Sequence, residues 1–201
     1  MNENERTVYV VDDDDAVRDS LTMLFRNAGL AVRGFASARA FLDQAAPAAP
    51  SCLVLDIRMP GMSGTALQDE LKARAPRLPI IFITGHGNIP TAVEAVKKGA
   101  YDFIEKPFDD YQLLSQVMSA LERSEELRSG VTPAAPNREQ LALLSEREQE
   151  VLKLVLAGKP SRQVAEELYI SSRTVEFHRA RIMQKLGVRT AAELFRVCLA
   201  R

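Results

Sequence analysis

Cysteine is scarce in this 201-residue chain: only Cys52 and Cys198, far apart and each in apolar surroundings. Two such thiols exclude a disulfide framework and fit reduced core residues of a cytoplasmic protein. Long apolar runs are missing too. No stretch approaches the ~20 residues that a membrane-spanning helix needs, so no membrane partner is expected. The opening MNENERTVYVV lacks the basic start and the apolar core of about 7–15 residues that mark a secretory signal. Net charge is nearly absent, at −1, while hydrophobic (46%) and charged (26%) residues stand in ordinary proportion. A globular core is therefore expected.

The small net charge hides an asymmetry. Residues 1–137 carry 14 Lys and Arg against 19 Asp and Glu, whereas residues 138–201 carry 12 against 8. An acidic front and a basic tail predict two modules with different partners, the second of them anionic. The length is sufficient for two small domains.

The front module alternates strand-like and helix-like stretches. TVYVV (7–11), CLVLD (52–56) and PIIFIT (79–84) are short, continuous apolar runs, as buried parallel strands are. AVRGFA (31–36) and AYDFIEK (100–106) complete five strands. Between them, Val17, Leu21, Leu24, Phe25 and Ala28 mark one face of a helix that Gly29 is placed to end. Further helices are expected at 38–45, 65–74, 91–98 and from 109 past 121. Five such units predict an α/β fold with a doubly wound, flavodoxin-like parallel sheet over residues 5–125. The segment RSEELRSGVTPAAPNR loses apolar periodicity and gains Gly, Pro and charge, so 126–139 is expected to be a linker. Residues 140–201 carry only helical patterns.

In open α/β sheets ligands bind beyond the carboxyl ends of the strands. Those ends present Asp12 and Asp13 within VVDDDDAV, then Asp56, Thr84 and Lys106. Three carboxylates in one cleft raise each other's pKa unless a cation neutralises them, and oxygen donors of this kind suit Mg²⁺. A carboxylate can attack phosphorus to give an aspartyl phosphate, with Lys106 and Thr84 available to phosphoryl oxygens. Asp14 and Asp15 are expected to cap the first helix instead of binding metal.

VVDDDDAV, CLVLDIRMPGMSG, FITGHGN and DFIEKPF together resemble the receiver domain of two-component response regulators. The resemblance implies Asp56 as phosphoacceptor, with Asp12, Asp13, Asp56 and the main-chain carbonyl of Arg58 holding Mg²⁺. It implies Thr84 and Phe103 as a switch pair, Lys106 as the sensor of the phosphoryl group, and a cis Lys106–Pro107 bond. A face carrying Val93, Val96 and Tyr101 is implied as the dimer surface. GHGN differs from the GHGD common in the subfamily, though Asn88 retains capping ability.

The tail opens with Ser145-x-x-Glu148, a capping box before Val151, Leu152, Val155 and Leu156. Gly158 closes that helix, and a second carries Val164, Ala165 and Leu168. After YISS, a third runs over 173–186, Gly187 stops it, and Thr190 caps a fourth. Two helices joined by a turn of about four residues have the shape of a helix-turn-helix. On the third helix Val175, Ile182, Met183 and Leu186 are expected to be buried, with Arg173, Glu176, Phe177, Ala180 and Arg181 opposite. Arginines there can pair with phosphates, Glu176 can accept from cytosine N4, and Phe177 can touch a thymine methyl.

LSEREQEVL, GKPSRQVAEEL and ISSRTVEFHRARIMQKLGV resemble the LuxR-type DNA-binding domain. The resemblance implies a recognition helix over 174–186 and DNA contacts from Arg162, Arg173, Thr174, Glu176, Phe177, Arg179, Ala180, Arg181 and Lys185. The two halves together are similar to the FixJ subfamily. They imply a phosphorylation-dependent transcription factor, not an enzyme, that takes its phosphoryl group from a sensor histidine kinase, forms a homodimer and binds double-stranded DNA, with RNA polymerase a further partner. Two alternatives share some of these residues. A Mg²⁺-dependent phosphatase would leave the helix-turn-helix idle, and a signalling relay would use its tail to bind protein.

Overall fold

The computed structural model describes residues 6–48, 50–85, 89–130, 138–159 and 161–199. They fall into two compact units, each taken by itself below. The expected Asn88 cap and part of the expected linker lie outside the described residues.

The first unit is built on five parallel strands: β1 (Thr7–Val11), β2 (Ala31–Phe35), β3 (Ser51–Asp56), β4 (Ile80–Thr84) and β5 (Asp102–Glu105). Their order is β2-β1-β3-β4-β5, the doubly wound arrangement that the alternation predicted. β1, β3 and β4 are buried along their whole length. That follows from a sheet covered on both faces, where side chains alternate sides and both sides must be apolar. One face packs Val8, Val10, Cys52, Val54, Ile81 and Ile83 with Leu21 and Phe25 of α1 (Asp15–Asn27) and Leu113 and Val117 of α5 (Asp110–Arg128). On another side Tyr9 and Phe35 meet Phe41 of α2 (Ala38–Gln44) edge to face, at ring separations of 5.6 and 5.3 Å. α3 (Gly64–Arg74) follows β3; α4 (Ile89–Lys97), between β4 and β5 in sequence, is grouped with the second unit. Burial pushes the Cys52 thiol far up, which leaves it an inert core residue.

Helix ends follow local chemistry. Asp14 is the N-cap of α1 and accepts from the N–H groups of Ala16 and Val17, while Asp15 begins the helix. At the other end Gly29 takes φ +79° and lets Leu30 N–H reach the Phe25 carbonyl at 3.1 Å. α5 continues to Arg128, past the expected linker start at 126. Two tertiary bonds hold that last stretch: Ser51 N–H donates to Ser124 Oγ at 3.1 Å, and Arg6 forks onto Glu125 at 3.0 and 3.2 Å. A short 3-10 helix at Arg138–Leu143, which periodicity does not reveal, occupies the linker's other end.

In the second unit α6 (Glu146–Leu156), α7 (Ser161–Leu168), α8 (Ser172–Leu186) and α9 (Ala191–Leu199) enclose Val151, Val155, Val164, Val175, Ile182, Leu186 and Leu194. The capping box is present: Ser145 N–H donates to Glu148 Oε2 at 2.8 Å and Glu148 N–H donates to Ser145 Oγ at 3.3 Å. Ser171 caps α8, accepting from Thr174 N–H at 3.0 Å, and Gly187 ends it at φ +64°. Thr190 Oγ1 accepts from Glu193 N–H at 3.0 Å and caps α9.

The α7–α8 turn places Tyr169 at φ +54° with 94% of its surface exposed. A left-handed backbone burdens a side chain that gains nothing from packing there. Arg147 Nη2 closes the turn by donating to the Leu168 carbonyl at 2.6 Å. Tyr169→Gly is therefore expected to raise stability by about 1 kcal/mol, read as a higher denaturant midpoint. A lower midpoint would show that the ring is held by contacts of its own.

Candidate phosphoacceptor pocket and nucleic-acid interface

Strand order reverses around β1 and β3, and there the chain delivers Asp12 and Asp56 side by side. Lys106, just beyond β5, joins them: its Nζ donates to Asp12 Oδ2 at 2.9 Å and to Asp56 Oδ1 at 2.8 Å. Asp56 Oδ2 accepts from Arg58 N–H at 2.6 Å, and Asp12 Oδ1 from Asp14 N–H at 2.9 Å. Lys106 precedes a cis bond to Pro107. Thr84 is wholly buried at the end of β4, its hydroxyl donating to the Gly85 carbonyl at 3.2 Å. Phe103 is half-buried on β5.

Two carboxylates share one ammonium, and the charges respond. Burial raises Asp56 above the usual carboxylate range, the Lys106 hydrogen bond and charge pull it back, and the neighbouring Asp12 charge lifts it again, for a net rise. For Lys106, burial acts downward, but hydrogen bonds and attraction from Asp56 and Asp12 outweigh it and lift the ammonium above its ordinary value. At neutral pH Lys106 stays charged beside a carboxylate whose negative charge burial disfavours. Phosphorus chemistry at Asp56 would meet a fixed cation.

Asp12 and Asp56 come together on Lys106 as expected, and Asp13, the residue after Asp12, is exposed. Among the described residues no group of three His, Cys, Asp or Glu side chains gathers closely enough to hold a metal ion. Mg²⁺ asks for less, since it binds through one or two carboxylates and keeps several waters. Two carboxylates fixed on one ammonium, with oxygen donors only, fit its chemistry. Val96 and Tyr101 of the expected dimer surface are 0% and 7% exposed. The Val93 side chain lies outside the described residues.

Sequence reasoning overlooked one residue beside the pocket. Arg18 Nη1 donates to the Asp12 carbonyl at 2.7 Å, and its Nη2 pairs with the Asp15 carboxylate. Its only signal was the Asp15–Arg18 spacing on α1.

On the second unit, Arg173, Glu176, Phe177, Ala180 and Arg181 are all exposed along α8, as the period predicts, while Met183 is half-buried. Phe177 is 57% exposed, and the Arg181 guanidinium lies 5.6 Å from its ring centroid. Arg162, with a side chain 87% exposed, pairs with Glu166 at 3.2 Å. Others among the expected DNA contacts already have partners inside the fold. Glu176 accepts from the Ser161 hydroxyl, to which Arg179 Nη1 also donates at 3.0 Å. Thr174 Oγ1 shares a hydrogen bond with Ser171 Oγ at 2.8 Å. Lys185 Nζ is drawn inward to Glu148 at 2.7 Å and to the Leu143 carbonyl at 3.1 Å.

A parallel sheet with this carboxylate–ammonium pocket, followed by a helix-turn-helix, defines a class. The family model for the response regulator receiver domain matches residues 8–118, and that for bacterial regulatory proteins of the luxR family matches 142–198. The chain belongs to the response regulators whose receiver is followed by a luxR-type DNA-binding domain, and so acts in transcriptional regulation. Within that class it resembles FixJ-type proteins over nearly its whole length. It is 45% identical over 197 residues to the response regulator protein TodT of Pseudomonas putida, covering 98% of this chain and 87% of the relative. The transcriptional regulatory protein FixJ of Azorhizobium caulinodans is 45% identical over 192 residues, with 96% and 91% covered. Among solved structures, the response regulator StyR matches at 43% identity and a TM-score of 0.59, covering 98% of this chain and 100% of StyR. Full-length FixJ from B. japonicum matches at 39% and 0.58, covering 98% and 97%.

Proposed function

We propose that this response regulator accepts a phosphoryl group on Asp56 from a sensor histidine kinase and, in that form, dimerises and binds specific duplex DNA. An Asp56 carboxylate oxygen attacks phosphorus, the new O–P bond forms, and the P–N bond to the kinase imidazole breaks. Asp12, Asp13, Asp56 and the Arg58 carbonyl would hold Mg²⁺, which when bound supplies charge neutralisation at the phosphoryl oxygens. Lys106 exchanges the Asp56 oxygen for a phosphoryl oxygen, and the Thr84 hydroxyl turns from the Gly85 carbonyl towards the same group. Phe103 then fills the space Thr84 leaves, and the segment from α4 through β5 rearranges so that Val93, Val96 and Tyr101 become a dimer surface.

The domain boundaries proposed are 5–125 and 140–201, with 126–139 between them and the last turn of α5 reaching three residues into that segment. On DNA, Arg162, Arg173 and Arg181 are the residues proposed to face phosphate or base, with Phe177 against a base methyl. Glu176, Arg179 and Lys185 support the recognition helix from within. RNA polymerase is the proposed partner once the dimer is on DNA in the cytoplasm.

What carries this conclusion is the Lys106 ammonium, which ties together two carboxylates from 94 and 50 residues away. Intact mass after incubation with Mg²⁺ and a small-molecule phosphodonor tests it. Wild type is expected to gain one phosphoryl group and Asp56→Asn none. Equal gain in both would place the acceptor elsewhere, and no gain in a folded wild type, even with its kinase, would remove the phosphoacceptor role.

A further inference from the structure

Every main-chain and side-chain polar atom of Asp12 is held. Its N–H donates to the Phe35 carbonyl at 3.3 Å, Oδ1 accepts from Asp14 N–H at 2.9 Å, and Oδ2 accepts from Lys106 at 2.9 Å. The fourth bond alone comes from a side chain outside the pocket: Arg18 Nη1 reaches the Asp12 carbonyl at 2.7 Å. That guanidinium is itself held, its side chain 15% exposed and its Nη2 on an Asp15 carboxylate that is 86% exposed. Asp15 thus does more than open α1. It anchors the arginine that grips Asp12.

The gripped carbonyl belongs to the peptide that joins Asp12 to Asp13. A peptide is planar, so fixing its C=O direction fixes the direction in which the Asp13 N–H and Cα leave. Asp13 stands exposed beside it. Its carboxylate must start from wherever that peptide points.

We propose that Arg18 is a positioning residue for the cation site: through the Asp12 carbonyl it aims the Asp13 carboxylate at the ion that Asp12 and Asp56 hold. It rests on the assignment of Asp12 and Asp13 as Mg²⁺ ligands. Charge alone predicts the opposite effect. Removing Arg18 takes away a positive charge and unpairs Asp15, which would favour a cation. Partners that orient a metal ligand typically change affinity by about 10–100-fold when lost, so a weaker ion is the signature of positioning.

The test is Mg²⁺ binding by calorimetry on the full chain with no phosphodonor, for wild type, Arg18→Met and Arg18→Lys. Arg18→Met is expected to weaken Mg²⁺ roughly tenfold. Arg18→Lys, which keeps a donor and the charge, is expected to recover part of the loss. Should methionine disrupt the amide spectrum of the fold, Arg18→Lys decides alone, an intermediate affinity supporting the role and a wild-type one refuting it. Unchanged or tighter binding in a folded Arg18→Met would overturn the role of Arg18 while leaving the pocket intact. A wild type with no saturable Mg²⁺ binding would overturn both.

Discussion

Gly64→Ala is expected to destabilise the sheet unit by roughly 3 kcal/mol and to cut phosphoryl acceptance at Asp56 with it. Gly64 is buried at the first position of α3, directly after the N-cap Ser63. Its N–H donates to the Ile57 carbonyl at 3.0 Å, drawing the helix start against the end of β3. A Cβ at this position would lie 2.2 Å from the Asp56 carbonyl oxygen and 3.1 Å from both its carbon and Leu55 Cγ. The nearest obstacle is backbone and cannot swing aside as a flexible side chain would. Either α3 lifts away or the last residue of β3 shifts, and that residue is the proposed phosphoacceptor. Gly34→Ala is the control, because nothing lies within 4 Å of its Cβ position. Denaturant midpoints and intact mass, measured on both variants, check the pair of effects. A Gly64→Ala protein of wild-type stability would show that the α3 start is free to move.

The second large effect is acid loss of the helical unit through Glu148. This carboxyl is 3% exposed yet is held down from its ordinary 4.5 to about 2. The Lys185 hydrogen bond is the largest cause, followed by the Ser145 N–H of the capping box, and together they outweigh burial. A carboxylate with a depressed folded pKa contributes stability that is fully present above its unfolded value and is lost as pH falls through the folded one. The window here runs from about 4.5 down to about 2. Glu148→Gln removes a charged acceptor from both partners, at a cost of about 2 kcal/mol near neutral pH. The gap in melting temperature between wild type and Glu148→Gln is therefore expected to be wide at pH 6 and to close as pH falls through that window. Other carboxylates titrate equally in both proteins and cancel in the difference. A gap independent of pH would mean that the ionised form of Glu148 is not what stabilises the helices.

Local and periodic features were legible in the sequence. Three apolar runs and two weaker stretches became five parallel strands, and Gly29, Gly158 and Gly187 ended helices at positive φ as placed. Asp12, Asp56 and Lys106 could be brought together from sequence because a parallel sheet gathers its carboxyl ends at one edge, whatever the distance along the chain. The unread features depend on partners that no period encodes. α5 outlasts its apolar pattern because Ser51 and Arg6, more than seventy residues earlier, bond to its last turns. Lys185 reads as a basic residue on a recognition helix, but its ammonium turns to a carboxylate 37 residues back. Glu176 reads as a base contact, and its hydrogen bond from Ser161 on the neighbouring helix is equally invisible to periodicity. Arg18 falls between these cases, since its spacing to Asp15 is visible while its bond to the Asp12 carbonyl needs the fold.

The central claim, that phosphorylation at Asp56 turns on DNA binding, is tested most directly by titrating a duplex selected from a random library. Fluorescence anisotropy would follow wild type with and without phosphodonor, and Lys106→Ala with it, at fixed salt because phosphate contacts make affinity steeply salt-dependent. The account predicts tighter, dimeric binding by phosphorylated wild type, and binding by phosphorylated Lys106→Ala no better than by unphosphorylated wild type. Equal affinity of wild type with and without the phosphoryl group would contradict it.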